Sequence, residues 1–327
     1  MTKQDLKNAY LDFLVGKQPG WRLDVDEGSH KMRLDQFIAK KLERVSRSRA
    51  SQLDVFDIDR ELELKKSATV HQGQRIWIKR PFFEEIPPQI NPSVLEETDD
   101  FLVLNKPPFW SVHPTAHRFT HTITTWLKQQ KIWATPVHRL DHETSGVLLC
   151  AKNKQAENAL IDAFAQQQIH KTYLAIIEEI PTDFFWQNQT PLGFDLQSEV
   201  KIKMAKGNLS ACTEFQLQKI YFNESLQKRY ALIKAMPKSG RQHQIRAHLM
   251  LSGYALLGDK LYGKSEKFFL KSLEEPLSTE DFKILGHQRH CLHAFDLSFD
   301  WKDQHYRFEC PLADDLWEVL GQTHANE

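Results

Sequence analysis

The first clear periodicity in the chain is Leu34, Phe37, Ile38 and Leu42, whose spacing predicts a helix with one apolar face. Before it, residues 1–30 read as a short amphipathic helix, a break at Pro19-Gly20 and an irregular stretch. A second short helix is expected to start near Ser46 or Ser48, either of which can cap it, and to carry Arg47 and Arg49. QGQRIWIKR (72–80) alternates as a strand after a glycine turn, with Ile76 and Ile78 on one face. PFFEEIPPQINP follows. Four prolines in twelve residues make a stiff linker and set a domain boundary.

Beyond residue 93 the pattern changes to apolar runs. FLVLNK (101–106), GVLLCAK (146–152), TYLAII (172–177) and RYALIKAM (229–236) read as strands. Helices are expected at 155–166, where Ala156, Leu160, Ala163 and Phe164 share a face, and at 242–251, closed by Gly253. The organisation is therefore an extension (1–30), a small domain (31–80), a linker (81–92) and a large domain (93–327). A length of 327 residues agrees with about two domains. There is no internal repeat and no low-complexity tract.

Composition narrows the class. No window approaches the roughly 18 apolar residues of a membrane span. The start, MTKQDLKNAYLDFLVGKQ, has charged and polar residues where a signal peptide needs an apolar core. The four cysteines are dispersed and form no CxxC pair, which fits a reducing compartment. A cytoplasmic, monomeric protein without a membrane partner is expected. The net charge is zero, but residues 31–80 carry +6, residues 81–100 carry −6 and residues 311–327 carry −4. Such polarity can steer a polyanion onto one face, although charge clusters are more often plain solvated surface.

Four stretches carry candidate chemistry: Asn105-Lys106-Pro107-Pro108 followed by Val112-His113-Pro114; His138-Arg139-Leu140-Asp141-His142-Glu143-Thr144-Ser145-Gly146; Lys171-Thr172-Tyr173; and Gly240-Arg241-Gln242-His243-Gln244-Ile245-Arg246-Ala247-His248-Leu249. Each alone is weak, since a loop Asp is usually a turn residue and Lys-x-Tyr is usually half a strand face. Zinc is one rival chemistry. His113, His117 and His121 recur every four residues, and His287, His290, Cys291 and His293 cluster. Pro114 disfavours helical geometry at His113, and the second cluster runs into a strand, so no metal is expected. There is no GxSxG elbow for a serine hydrolase. Neither a phosphate loop nor a nicotinamide fingerprint occurs, and no cofactor is expected.

In order, NKPP…HP…HRLDxxTSG…KxY…GRxHQIRxHL…GDxLYG resembles the RluA family of pseudouridine synthases over roughly residues 95–300. The match includes Gly258-Asp259-Lys260-Leu261-Tyr262-Gly263 and the late strand Leu292–Leu297. Residues 31–80 resemble the small RNA-binding domain that the family shares with a small-subunit ribosomal protein. RLDQFIAKKL and SRSRA carry that likeness, whereas IDRELELKK stands where a glycine-containing turn is usual. The resemblance implies an α+β fold: a catalytic domain with a mixed, mostly antiparallel sheet, preceded by a small α+β RNA-binding domain.

It also implies roles. The family's catalytic carboxylate falls on Asp141, its charge partner on Arg246 and its active-site tyrosine on Tyr173. An ionised carboxylate can attack the sugar as a nucleophile or act on it as a base, and both remain open. Arg139 could stack where a flipped uracil had been. His138, Leu140, Thr144, Arg241 and Ile245 are the other expected substrate contacts, and Lys171, Arg47 and Arg49 the expected RNA contacts. Plainer alternatives stand beside these: a helical phosphate contact for Arg246, a core tyrosine for Tyr173, a structural histidine for His138, simple core for Leu140 and Ile245. The expected partner is RNA, ribosomal first and transfer RNA second. A non-catalytic RNA-binding relative is the competing class, and Asp141, Tyr173 and Arg246 together argue against it.

Overall fold

The computed structural model describes residues 3–14, 20–42, 47–51, 53–79, 87–115, 118 and 120–322, without the side chains of Lys3, Ser48, Arg49 and Glu274. The chain forms two compact units, Met1–Ile86 and Pro87–Glu327.

The first unit contains α1 (Lys3–Leu14), β1 (Gly20–Asp24), α2 (Leu34–Lys41), the single turn α3 (Arg47–Ala50), β2 (Val55–Asp57), β3 (Leu62–Glu63) and β4 (Arg75–Lys79). Its sheet runs β1-β4-β2-β3 with every pair antiparallel. Ile76 and Ile78 of β4 pack with Phe37 and Ile38 of α2, the face that alternation predicts. Trp77 points the other way and is also fully buried, against Leu6 of α1 and Phe56. So α1 covers the second face of the sheet, and β1 hydrogen-bonds to β4. Residues 3–14 and 20–24 therefore build this unit rather than extend from it. Pro19, Ser46 and positions 81–86 of the expected linker lie outside the described residues. Residues 87–92, also expected as linker, group with the second unit.

The second unit begins with β5 (Ser93–Glu97), β6 (Phe101–Lys106), α4 (Ile123–Gln129), β7 (Thr135–Pro136), β8 (Ser145–Ala151) and α5 (Lys154–Ala165). Next come β9 (His170–Ile177), β10 (Phe185–Asn188), the hairpin β11 (Leu192–Phe194) and β12 (Met204–Lys206), β13 (Thr213–Asn223), β14 (Lys228–Pro237) and α6 (Gln244–Leu251). It closes with α7 (Lys267–Glu274), α8 (Thr279–Leu285), β15 (Leu292–Trp301), β16 (Gln304–Glu309) and α9 (Asp314–Val319). The main sheet runs β10-β13-β14-β9-β15-β8-β6-β5, with β16 on β15 and β7 on β8. Among the described strands only β8 and β15 pair in parallel. The fold is α+β with a mixed, mostly antiparallel sheet.

The apolar run of β6 is continuous because helices cover both its faces. Phe101 and Val103 pack with Val147, Leu149 and the Ala156 and Leu160 stripe of α5. Leu102 and Leu104 pack on the opposite side with Leu148, Cys150 and Ile123, Trp126 and Leu127 of α4. Asn153 caps α5 by accepting the Ala156 N–H at 2.8 Å. The short parallel contact joins Ser145-Gly146 to His293-Ala294. Gly146 has φ +110°, and a Cβ there would stand 2.1 Å from the Ala294 carbonyl oxygen. Only glycine allows the two strands to approach at this point, and the loop that precedes Gly146 carries Asp141.

Candidate active site

A cavity of about 410 Å³ lies between the loop before β8, the start of β9 and the turn before α6. Asp141, Tyr173, Lys171, His243 and Arg246 line it, and Leu140, Ile245 and Leu292 supply apolar wall. Every large-domain residue expected at the site reaches it: His138, Arg139, Thr144 and Arg241 line it as well.

The loop is held by a turn in which the Thr144 N–H donates to the Asp141 carbonyl at 3.1 Å. Beneath it the Thr144 hydroxyl pairs with His290 Nε2 at 2.8 Å, and the Ser145 hydroxyl with His293 Nδ1 at 2.8 Å. Glu143 accepts from Lys260 Nζ at 2.7 Å and from the His290 N–H at 2.9 Å. These contacts tie the loop to the segments before and within β15, so Asp141 is presented on a fixed platform.

Arg246 projects from the first turns of α6 and binds two carboxylates. Its NH1 donates to Asp141 Oδ2 at 2.9 Å, while Nε and NH2 donate to Asp259 Oδ2 and Oδ1 at 2.7 and 2.8 Å. The Arg246 side chain is 7% exposed and that of Asp259 is fully buried, whereas Asp141 keeps 24% of its side chain toward solvent. The backbone N–H groups of Leu261 and Tyr262 also donate to Asp259 Oδ1, at 2.9 and 3.1 Å. The Tyr262 ring lies under the guanidinium at 5.0 Å. The bidentate clamp therefore fixes the fork and aims its NH1 group at Asp141.

Burial opposes the charge on each member of this triad, and the pairing outweighs it. Cationic neighbours, chiefly His243 and Arg246, hold the Asp141 carboxyl well below the usual carboxylate range. Burial itself drives His243 down to about 4, so at neutral pH Arg246 is the cation that does this. Asp259 is held down by Arg246 in the same way, and Arg246 is pushed well above its ordinary value by Asp259 and Asp141. Tyr173 on β9 is raised by burial and then by the Asp141 charge, so its hydroxyl keeps its proton at neutral pH.

Several expected residues have structural partners in addition. The ring of His138 accepts the Leu149 N–H at Nε2 (2.9 Å) and lies 4.7 Å from the Phe164 ring. It is a neutral loop anchor, pushed down to about 3 by burial. Arg241 donates to the Ser210 carbonyl at 3.1 Å. Lys171 sits 5.7 Å over Phe164, with its pKa lowered by burial. In the first unit, Arg47 is paired with Asp35 at 2.8 Å, and the Arg49 side chain is outside the described residues.

Among the described residues no group of three His, Cys, Asp or Glu side chains is arranged to hold a metal. His117 lies outside them. His290 and His293 are hydrogen-bonded to Thr144 and Ser145, and His293 Nε2 also meets the Cys310 carbonyl at 3.0 Å. No described helix is long and apolar enough to cross a membrane. Residue-pattern reasoning passed over Asp259, Glu143, His243 and Tyr262 as working residues. The GDKLYG motif was the available signal for Asp259 and Tyr262.

The cavity thus brings a carboxylate–arginine pair and a tyrosine together beside a mixed sheet, an arrangement that agrees with the pseudouridine synthase likeness of the sequence motifs. A family model described as RNA pseudouridylate synthase matches residues 100–251. The Neisseria meningitidis serogroup A ribosomal large subunit pseudouridine synthase D is 30% identical over 305 residues, covering 88% of this chain and 78% of the relative. The Borreliella burgdorferi protein of the same name is 30% identical over 256 residues, covering 71% and 76%. The solved structure of human RNA pseudouridylate synthase domain containing 1 shares the fold at a TM-score of 0.57 and 21% identity, covering 73% of this chain and 92% of that one. The chain belongs to the RluA family of RNA pseudouridine synthases.

Proposed function

We propose that this RNA pseudouridine synthase isomerises uridines of large-subunit ribosomal RNA, with Asp141 as the catalytic carboxylate. The observation that carries the mechanism is the Arg246 fork, which holds Asp141 ionised at the wall of a cavity it shares with Tyr173. The reaction breaks the bond from N1 to C1′, turns the base and joins C5 to C1′. C5 loses a proton and N1 ends protonated, so no cofactor is consumed. Asp141 acts on the sugar, and its charge is maintained by Arg246. Tyr173, with its hydroxyl protonated, supplies a ring face and a hydrogen bond to the uracil rather than a phenolate. Arg139 is exposed at the cavity and fills the space that the flipped base leaves.

The ribosomal substrate is supported by the names of the two relatives, both large-subunit enzymes. The first unit serves as the RNA-capture module, through Arg47 and Arg49. The protein works as a monomer in the cytoplasm, a setting supported by four unpaired cysteines. The test is tritium release from C5-labelled uridine in unmodified ribosomal RNA and, separately, in transfer RNA, with Asp141→Ala as control. Release from the ribosomal pool alone, absent in the variant, is expected. Release from transfer RNA alone would replace the substrate assignment.

A further inference from the structure

His243 stands in the left-handed turn that opens α6, at φ 51°. Its side chain is 9% exposed and lines the cavity. The two ring nitrogens meet different neighbours. Nδ1 is 3.1 Å from the Tyr262 hydroxyl, whereas Nε2 is 3.9 Å from Asp141 Oδ2, beyond hydrogen-bond reach. The Tyr262 oxygen accepts the Met204 N–H at 2.8 Å, and its own hydrogen is free to be donated to His243 Nδ1. A neutral imidazole that accepts at Nδ1 carries its hydrogen on Nε2. The ring is neutral at physiological pH, since burial depresses its basicity more than Asp141 restores it. The relay from Met204 through Tyr262 thus leaves one N–H donor beside the carboxylate, directed at whatever occupies the cavity.

We propose that His243 is a further catalytic residue, which donates this hydrogen to uracil O2 as the bond from N1 to C1′ opens. The inference rests on the reading that Asp141 works at C1′. When that bond breaks, its electron pair passes into the uracil ring and spreads over N1, O2 and O4. O2, next to N1, is the base carbonyl nearest to C1′, so a donor close to the Asp141 oxygen falls at that carbonyl. The donor is fixed before the charge appears and strengthens as it appears, which is how a preorganised dipole lowers a barrier. No proton need be transferred, and the isomerisation needs no added reactant.

The test pairs His243→Phe, which fills the space without a donor, with His243→Gln, which restores an N–H. His243→Phe is expected to lower kcat for tritium release about 10²-fold, the loss typical of one such donor, with KM changed about twofold at most. His243→Gln should recover part of kcat. Tyr262→Phe, which unlocks the tautomer, should fall between wild type and His243→Phe. Full kcat in His243→Phe, or equal loss in the glutamine variant, would overturn the proposal. ¹⁵N NMR of the wild-type protein tests it without variants: a neutral ring protonated at Nε2 is expected, and an Nδ1–H tautomer would overturn it. Asp141→Ala, assayed in parallel, separates the two readings. An inactive Asp141→Ala beside a fully active His243→Phe removes His243 alone, whereas an active Asp141→Ala removes both.

Discussion

In the large unit one arginine serves two carboxylates; in the small unit two arginines serve one. Arg246 spans Asp141 and Asp259, while Arg33 and Arg47 straddle Asp35 at 3.1 and 2.8 Å. Asp35 is held down to about 2 by the Arg47 and then the Arg33 hydrogen bond. Burial separates the two clusters. Both arginines of the small unit are about half exposed, with side-chain exposures of 50% and 56%, and water screens their pairing. Asp35 itself is 7% exposed, so the two arginines keep its buried carboxylate paired while their own outer edges face water. Arg246 is buried, aimed by Asp259 and committed to holding a second charge at the cavity. The same residue types make a half-exposed surface pair in one place and a buried, fixed electrostatic device in the other.

The largest expected break is Arg246→Ala. It leaves Asp259 buried and unpaired, at a cost of about 3–5 kcal/mol, and it removes the charge that keeps Asp141 ionised. Turnover should fall about 10²–10³-fold, and the acid limb of the rate profile should move toward neutral pH. A urea midpoint and a pH–rate profile check both parts, and an unmoved acid limb would remove the ion-pair role. Asp259→Asn is the next step down. It keeps the shape but weakens the clamp, so a loss of about 1.5–3 kcal/mol by denaturant titration is expected. If turnover then stays at the wild-type level, the aiming role of Asp259 is lost.

Acid should discriminate between the units. His138 is pushed down to about 3, and His243 and His293 to about 4, by burial in the large unit. An unfolded histidine titrates near about 6.5, so below that pH the unfolded state binds more protons than the folded one. Stability should therefore fall as pH drops from about 6.5 toward 4, and rise again on return. Calorimetry across that window should show the loss in the large unit's transition. A flat profile there would contradict the neutral, buried histidines. The smallest effect is expected for Arg47→Ala. It should weaken RNA binding and reduce the salt slope by about 1, while turnover at saturating RNA changes less than affinity. An unchanged salt dependence would leave Arg47 as a surface pair only.

The elements that could be read from the residue pattern are those buried on both faces or on a clean stripe. β6, β8, β9 and β14 stand out as apolar runs, and α5 as a stripe of Ala156 and Leu160. β13 was missed because its middle is exposed on both sides at a register shift, where Gln218, Lys219 and Ile220 all face water and the apolar alternation breaks. The role of α1 was also invisible. Its Leu6 is meaningful only once Trp77 is known to lie opposite the Ile76 and Ile78 face. At the site, Asp141 and Arg246 were brought together by family likeness, since a separation of 105 residues has no local signature. Nothing in the spacing could show that Asp259 takes the other edge of the same guanidinium, or that the Tyr262 hydroxyl lies 3.1 Å from His243 Nδ1. Those are facts of tertiary packing.

The most direct test of the central claim is single-turnover tritium release by wild type and Asp141→Ala on the same C5-labelled ribosomal RNA, with folding matched by circular dichroism. Release by wild type and none by the variant, with RNA still bound, is the predicted result. Release at the wild-type rate from the variant would contradict the assignment of Asp141, and with it the purpose ascribed to the Arg246 fork.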